Sequence, residues 1–407
     1  MLRVYIRKED CCGCTACKAI CPSGAISMQP DSEGFLYPLI DVYKCNECGL
    51  CKQVCAFQTG YDISENLADP PVYAVKHLSE EVRRNSTSGG MFTAISDEIL
   101  KQKGVVYGAG FDENLVVCHQ RAISSIERDK FRGSKYVQSD MRDTIQALES
   151  DLRSGLSVLF TGTPCQSAAV RKYLQKREVD LKNLIVCDFV CHNTPSPLIF
   201  SEYIGFAEKM KRSKVAEYRF RSKIAGWHST KSVIVLDNMK EDYLSYYSQL
   251  FNGLFYSSLI SRMACHNCKY TNLNRSSDLT IGDFWGIEKC LPEFDDNKGV
   301  SLLLVNTRKG ADLIEKVKDS LNVRKVAIKD CLQPQLQYPP KASEQRDEFW
   351  KDYRKKRYEY VISKYMGYCL FNRIRLKMIR LVISSLEAVG FMKYYRFVKY
   401  KLLRQKQ

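Results

Sequence analysis

No run of about 18 uninterrupted apolar residues occurs in the 407-residue sequence, so a membrane-crossing helix is not expected. The opening residues, MLRVYIRKED, lack the apolar core of a secretory leader, and a chain kept out of an oxidising compartment has little use for disulfides. Net charge is also scarce over most of the chain. Of the formal +16, residues 351–407 carry +13, from sixteen Lys and Arg against three acids, which leaves the other 350 residues at +3. A basic face spread over the body, the mark of a nucleic-acid binder, is therefore missing. With 45% apolar residues and too much length for one small domain, the chain is expected to build a sizeable core in two or three domains.

What the sequence has in excess is cysteine, 18 in all. Eight fall in two copies of one run, Cys11, Cys14, Cys17, Cys21 and then Cys45, Cys48, Cys51, Cys55, each spaced C-x2-C-x2-C-x3-C. Three thiolates on a tight loop reach three corners of one iron–sulfur cubane, and the fourth, three residues further on, ligates the other cluster. This assigns Cys11, Cys14, Cys17 and Cys55 to one 4Fe-4S cluster, and Cys45, Cys48, Cys51 and Cys21 to a second. Pro22 follows Cys21, as such runs expect, whereas Ala56 follows Cys55, which removes a turn constraint and no ligand. Structural zinc would use four sulfurs rather than a duplicated eight. Cys12 is an extra thiol in the first run, a neighbour of the ligands unless the register shifts by one residue.

The cluster module is expected over 1–62, and Asp69, Pro70 and Pro71 read as a linker because adjacent prolines stop both helix and central strand. A second domain, 72–340, then alternates in type. Strands are expected at 72–76, 105–111, 116–122, 156–160 and 184–189, with helices at 88–103, 141–152 and 167–174. Such alternation predicts an α/β domain with a mixed sheet. Residues 341–407 read as a basic helical tail, with Arg373, Lys377 and Arg380 on one helical face and Ile374, Met378 and Leu381 on another. Such a tail either packs on the body as a solvated helix or touches an anionic membrane surface.

Two strand-to-helix turns stand out. In the first, Ser88, Gly89 and Gly90 lead into a helix, where free backbone N–H groups can meet a phosphate, although Ser88 is equally a good N-cap. The second, Gly162, Thr163, Pro164, Cys165, places a cysteine at the carboxyl end of a strand, where α/β sheets put their sites. The strand over 184–189 leads similarly to Cys191 and His192, and Cys265 and Cys268 have the spacing of a metal loop. Cys165, Cys191, Cys265 and Cys268 are thus candidate ligands of a third cluster, with Cys187 the rival for one corner. The isolated Cys118, Cys290, Cys331 and Cys369 are expected to act as buried small hydrophobes.

The segments STSGGMFTAI from Ser86, FRGSKYVQS from Phe131, FTGTPCQSAAVRKYL from Phe160, CDFVCHNTPSP from Cys187, CHNCKY from Cys265 and SDLTIGDFWG from Ser277 carry a resemblance. In their order, the chain resembles the family of coenzyme F420 hydrogenase/dehydrogenase beta subunits, in the form with an N-terminal bacterial-type dicluster ferredoxin domain. The resemblance covers roughly residues 1–329 and leaves the tail outside. It implies a flavin-binding α/β domain and an FAD-dependent iron–sulfur oxidoreductase, in which electrons pass between the clusters and FAD. Ser88, Gly89, Gly90, Lys135 and Tyr136 would contact FAD, with Gly162, Thr163 and Pro164 close to its ring. His192 and Asp283 are candidate proton-transfer residues. The alternative is a non-catalytic electron-relay subunit that feeds a separate redox partner. Family members act on F420, on a chlorophyll derivative in plants, and on unidentified acceptors in gene neighbourhoods for surface polysaccharide. The expectation is a cytoplasmic protein that exchanges electrons with an external donor or acceptor, ferredoxin-like or a coenzyme. Its contact with the inner face of the membrane, if any, would be peripheral, through the tail.

Overall fold

The computed structural model describes residues 3–369 together with 371, 372, 374 and 378. The N-terminal module holds a helix α1 (Ala16–Ile20), a hairpin of β1 (Ile26–Pro30) and β2 (Leu36–Ile40), and short helices α2 (Leu50–Gln53) and α3 (Ala56–Thr59). Gly13 and Gly49 sit at positive φ, 72° and 74°, which lets each cysteine run turn tightly before its helix.

The body is built on one eight-stranded mixed sheet. Its strands are β3 (Val72–His77), β4 (Val105–Phe111), β5 (Val117–Ala122), β6 (Val158–Gly162), β7 (Leu184–Phe189), β10 (Leu279–Asp283), β11 (Ser301–Val305) and β12 (Leu321–Val326), in the order β12-β3-β11-β10-β7-β6-β4-β5. The four inner strands β10, β7, β6 and β4 run parallel, and the others pair antiparallel. Two strands, β8 (Val215–Arg219) and β9 (Val233–Leu236), belong instead to a small three-stranded sheet completed by Glu241–Asp242.

Strand alternation sorts the core onto the two faces of the large sheet. Val105, Tyr107, Val158, Phe160, Leu184 and Val186 meet helices α5 (Thr144–Arg153) and α6 (Pro164–Lys176). Val106, Leu159, Ile185 and Cys187 face α4 (Met91–Lys101) and α9 (Arg308–Val317). Ala16, Ile20 and Val54 of the cluster module join the α5–α6 side, so the module docks through apolar contact.

The expected strands are all present within two residues, but two helices begin elsewhere. The helix expected from Ser88 starts at Met91, because Gly90, at φ 96°, is the N-cap and the Ser88 hydroxyl is engaged by the sheet. The helix expected from 167 starts at Pro164, where Thr163 and Gln166 cap it reciprocally. The expected linker is tied down, since the Leu67 amide donates to Asn306 and Asn66 Nδ2 donates to Arg275 O.

A separate core joins α7 (Pro197–Lys211), the small sheet, α8 (Leu250–Tyr256) and α10 (Arg346–Met366). Phe349, Trp350, Val361 and Ile362 of α10 are fully enclosed there. The first part of the expected tail over 341–407 is therefore body. Arg373, Lys377, Arg380 and Leu381 lie outside the described residues; Ile374 and Met378 are exposed. Among the described residues no helix is long and apolar enough to cross a membrane.

Candidate metal centres and the cavity between them

The two N-terminal thiol sets separate in space. Burial, and then the charges of Cys14, Cys11 and Cys55, hold the Cys17 thiol well above its ordinary value. Cys51 is raised by burial and by Cys21, Cys48 and Cys45. The structure thus groups Cys11, Cys14, Cys17 and Cys55 apart from Cys21, Cys45, Cys48 and Cys51. The first set is turned inward, with Cys17 buried, whereas Cys48 of the second is exposed.

Three parallel strands end on the same side of the sheet, and their loops bring further thiols together. Cys165 sits in the first turn of α6, after β6, and Cys191 follows β7. Cys265 and Cys268 come from a 3-10 turn, Met263–Asn267, and its C-cap. All four line one cavity, together with Cys12, Thr163, Pro164 and His192. Burial and then Cys265, Cys165 and Cys268 raise Cys191 well above the ordinary thiol value. Burial likewise pushes Cys268 up to about 12. Each loop supplies sulfur with a donor or hydroxyl neighbour: Thr194 N donates to Cys265 Sγ at 3.3 Å, Tyr270 N to Cys268 Sγ at 3.4 Å, and Thr163 Oγ1 lies 3.2 Å from Cys165 Sγ. Among the described residues no three His, Cys, Asp or Glu side chains close on a single ion. A cubane places its thiolates on separate irons, so a four-sulfur set around a cavity is a donor set suited to a cluster.

Cys187 stands apart from this set. It is 1% exposed, on the α4–α9 face of β7 among aliphatic side chains. Cys12, in contrast, contacts both Cys14 and Cys165, and its hydrogen bond is the chief cause that lowers the Cys165 thiol to about 7. It bridges the inner N-terminal set and the core set, a role that no spacing in the sequence signals.

His192 packs against the edge of Phe255, with Nδ1 2.6 Å from Gln335 Nε2, and burial lowers its basicity. Asp283 accepts from Trp227 Nε1 at 2.7 Å and pairs with Arg221, and it does not line the thiol cavity. The structure therefore does not bring the two proton-transfer candidates into one site.

Of the residues assigned to FAD, Thr163 and Pro164 line the thiol cavity, with Gly162 just before them on β6. Tyr136 stacks on Phe255 at 4.4 Å. The Ser88 hydroxyl donates to Val300 O at 2.6 Å, and Gly89 N donates to Ser301 Oγ at 2.9 Å. A Cβ at Gly89 would stand 2.2 Å from Val75 O, so glycine there permits close packing on the sheet. Lys135 is half-buried, donates to Lys130 O and Arg132 O at 3.0 and 2.8 Å, and is lowered by burial to about 7. Ser88, Gly89 and Lys135, as placed, offer no free donor to a phosphate. Lys223, which no sequence signal marked, clamps the same loop by donating to the carbonyls of Arg83, Ser88 and Lys298.

A buried charge network backs the cavity. Arg275 donates to Tyr270 O at 2.6 Å, Phe189 O at 3.1 Å and Asp188 Oδ1 at 3.2 Å, while Arg171 pairs with Asp278 at 2.7 Å. It ties the loop that carries Cys268 to the strand that leads to Cys191.

A mixed α/β body with a docked dicluster module and a further thiol cavity defines an iron–sulfur electron-transfer protein. Residues 155–330 match the family described as coenzyme F420 hydrogenase/dehydrogenase, C terminus of the beta subunit, and residues 10–59 match the 4Fe-4S dicluster domain. The chain belongs to this family of F420 hydrogenase/dehydrogenase beta subunits and carries the dicluster domain at its N-terminus. It is 20% identical over 329 residues to a subunit of the F420H2 dehydrogenase of Methanosarcina mazei, covering 78% of this chain and 85% of that protein. A 55-residue stretch is 40% identical to the polyferredoxin protein MvhB of Methanothermus fervidus, covering 13% of this chain and 11% of that protein. A chain in a structure of the F420-reducing NiFe hydrogenase complex from Methanosarcina barkeri superposes with a TM-score of 0.45 at 17% identity, over 76% of this chain and 95% of that one.

Proposed function

We propose that this chain is an electron-transfer subunit in which electrons pass from the two N-terminal clusters to a third 4Fe-4S cluster held by Cys165, Cys191, Cys265 and Cys268, and from there to a separate redox partner. The observation that carries the reading is the convergence of these four thiols on one cavity, joined through Cys12 to Cys14 of the inner N-terminal set. The exposed Cys48 puts the other set where an external donor or acceptor can reach it. A redox partner suits a chain whose relative is named as one subunit of a dehydrogenase.

The finer reading, in which FAD exchanges electrons with the third cluster and reacts with a substrate, rests on the family resemblance. Ser88, Gly89 and Lys135 engage their donors within the chain, so no step is assigned to the flavin. Anaerobic purification with iron quantification and an optical spectrum tests both parts. About twelve irons per chain, at four per cubane, is the expected result, and about eight would refute the third cluster. Flavin bands released on denaturation would establish FAD, and their absence favours the relay.

A further inference from the structure

Arg262 is 1% exposed, yet among the described residues no carboxylate pairs with it. Its guanidinium is held by neutral groups: Nε donates to Cys11 O at 2.8 Å, Nη1 to Gln138 Oε1 at 2.8 Å, and Nη2 to Leu36 O at 3.0 Å. Nη2 also lies 3.6 Å from Cys11 Sγ, and the group sits over the Tyr37 ring at 4.2 Å. The acids nearest to Tyr37 are already paired, Asp31 with Lys8 and Glu33 with Arg346. The chain also makes room for this cation. A Cβ on Gly13, inside the first cysteine run, would stand 2.8 Å from Nη1 and 2.6 Å from Gln138 Nε2.

A buried cation with no counter-ion costs several kcal/mol unless negative charge lies nearby. The negative groups that do face Arg262 are thiols, Cys11 and Cys12 on one side and Cys265 on the other, besides the Tyr37 hydroxyl. Iron bound by four thiolates supplies the missing anion, and one-electron reduction makes that anion more negative. A fixed positive charge therefore favours the reduced form, since net charge and hydrogen bonds to sulfur set cluster potentials.

The geometry points to Arg262 as the residue that raises the reduction potential of the Cys11, Cys14, Cys17 and Cys55 cluster, so that an electron arriving at the more exposed cluster settles on the one beside the thiol cavity. The step moves one electron and no proton: the exposed cluster is oxidised by one electron and the inner one reduced by one. Arg262 touches no substrate and acts by positioning charge. The inference rests on the electron-transfer reading above but needs only the two N-terminal clusters.

The test is a potentiometric titration of the full-length, cluster-loaded chain under anaerobic conditions, followed by electron paramagnetic resonance. Arg262→Gln removes the charge, Arg262→Lys keeps it, and Gln138→Glu neutralises it in place by setting a carboxylate against Nη1. Arg262→Gln and Gln138→Glu are each expected to weaken reduction of one N-terminal cluster at least about tenfold, a fall of about 59 mV for a one-electron couple. Arg262→Lys is expected to retain most of the potential. Unmoved potentials in both charge-removing variants, at unchanged iron content, would overturn the inference. If Arg262→Gln fails to hold iron, Gln138→Glu alone decides. An iron count of about eight in the parent chain refutes the third cluster but leaves this titration intact.

Discussion

Removing Arg275 tests how the thiol cavity is held together. Its guanidinium is 1% exposed and joins three elements, Asp188 and Phe189 on β7 and Tyr270 beside Cys268. Asp188 is fully enclosed; burial pushes its carboxyl above the usual range, against the pull of Arg275 and of the Thr280 hydroxyl, which donates to Oδ1 at 2.6 Å. Arg275→Met leaves this carboxylate buried with only Thr280, and breaking a buried pair from one side costs about 3–5 kcal/mol. Proton uptake by Asp188 relieves part of that cost, and the relief has a sign. A carboxyl whose folded pKa lies above its unfolded value stabilises the fold below the unfolded pKa and loses that contribution as pH rises through the folded pKa. The variant is therefore expected to fall further below the parent as pH rises, and Arg275→Met with Asp188→Asn to recover part of the loss. Anaerobic thermal unfolding across pH, with iron counted on the same samples, reads both effects, and the single variant is expected to lose about four irons per chain. A variant within about 1 kcal/mol of the parent, with full iron and no pH trend, would refute the reasoning.

Cys191→Ser is expected to remove about four irons per chain while Cys187→Ser removes none, because only the former lines the cavity; equal iron loss in both would restore Cys187 as a ligand. His119, 4% exposed and held near 4 by burial, donates or accepts only within the chain, to Ser139 and Thr161. A buried neutral histidine stabilises the fold above its unfolded pKa and loses that contribution as pH falls, by about 2 kcal/mol between about pH 7 and about pH 5. His119→Asn should flatten that slope in chemical unfolding, and an unchanged slope counts against it. Ending the chain after Pro339 removes Phe349 and Trp350 from the core and is expected to give insoluble protein, whereas a chain ending at Cys369 should stay folded. If the basic segment touches anionic membranes, the Cys369-ended chain will no longer sediment with vesicles that capture the full chain; equal sedimentation excludes that contact.

The cluster module and the strands were legible because both are local. The spacing of Cys11 to Cys21 and of Cys45 to Cys55 is a short-range geometric demand, and strands such as 105–111 and 184–189 carry their burial as apolar runs. Helix starts were less legible where tertiary contact competed with local capping. Ser88 has the chemistry of an N-cap, but its hydroxyl meets Val300 across 212 residues and the cap passes to Gly90.

Arg262, Arg275 and Lys223 carried no sequence signal, since an isolated basic residue reads like any surface one until its surroundings are known. Likewise, Cys12 and Cys187 both resemble spare thiols in the sequence. The fold sends Cys187 to the aliphatic side of β7 and Cys12 to the junction between two thiol sets. Ligand type and spacing in the eight-cysteine module follow from the order of residues along the chain, because a cubane binds thiolates a few residues apart. Which distant thiols share a cavity, which cation lies uncompensated between them, and which part of the basic C-terminal region is core depend on strand order and side-chain burial. These bring Cys12, Cys165 and Arg262 together from positions that no local spacing connects.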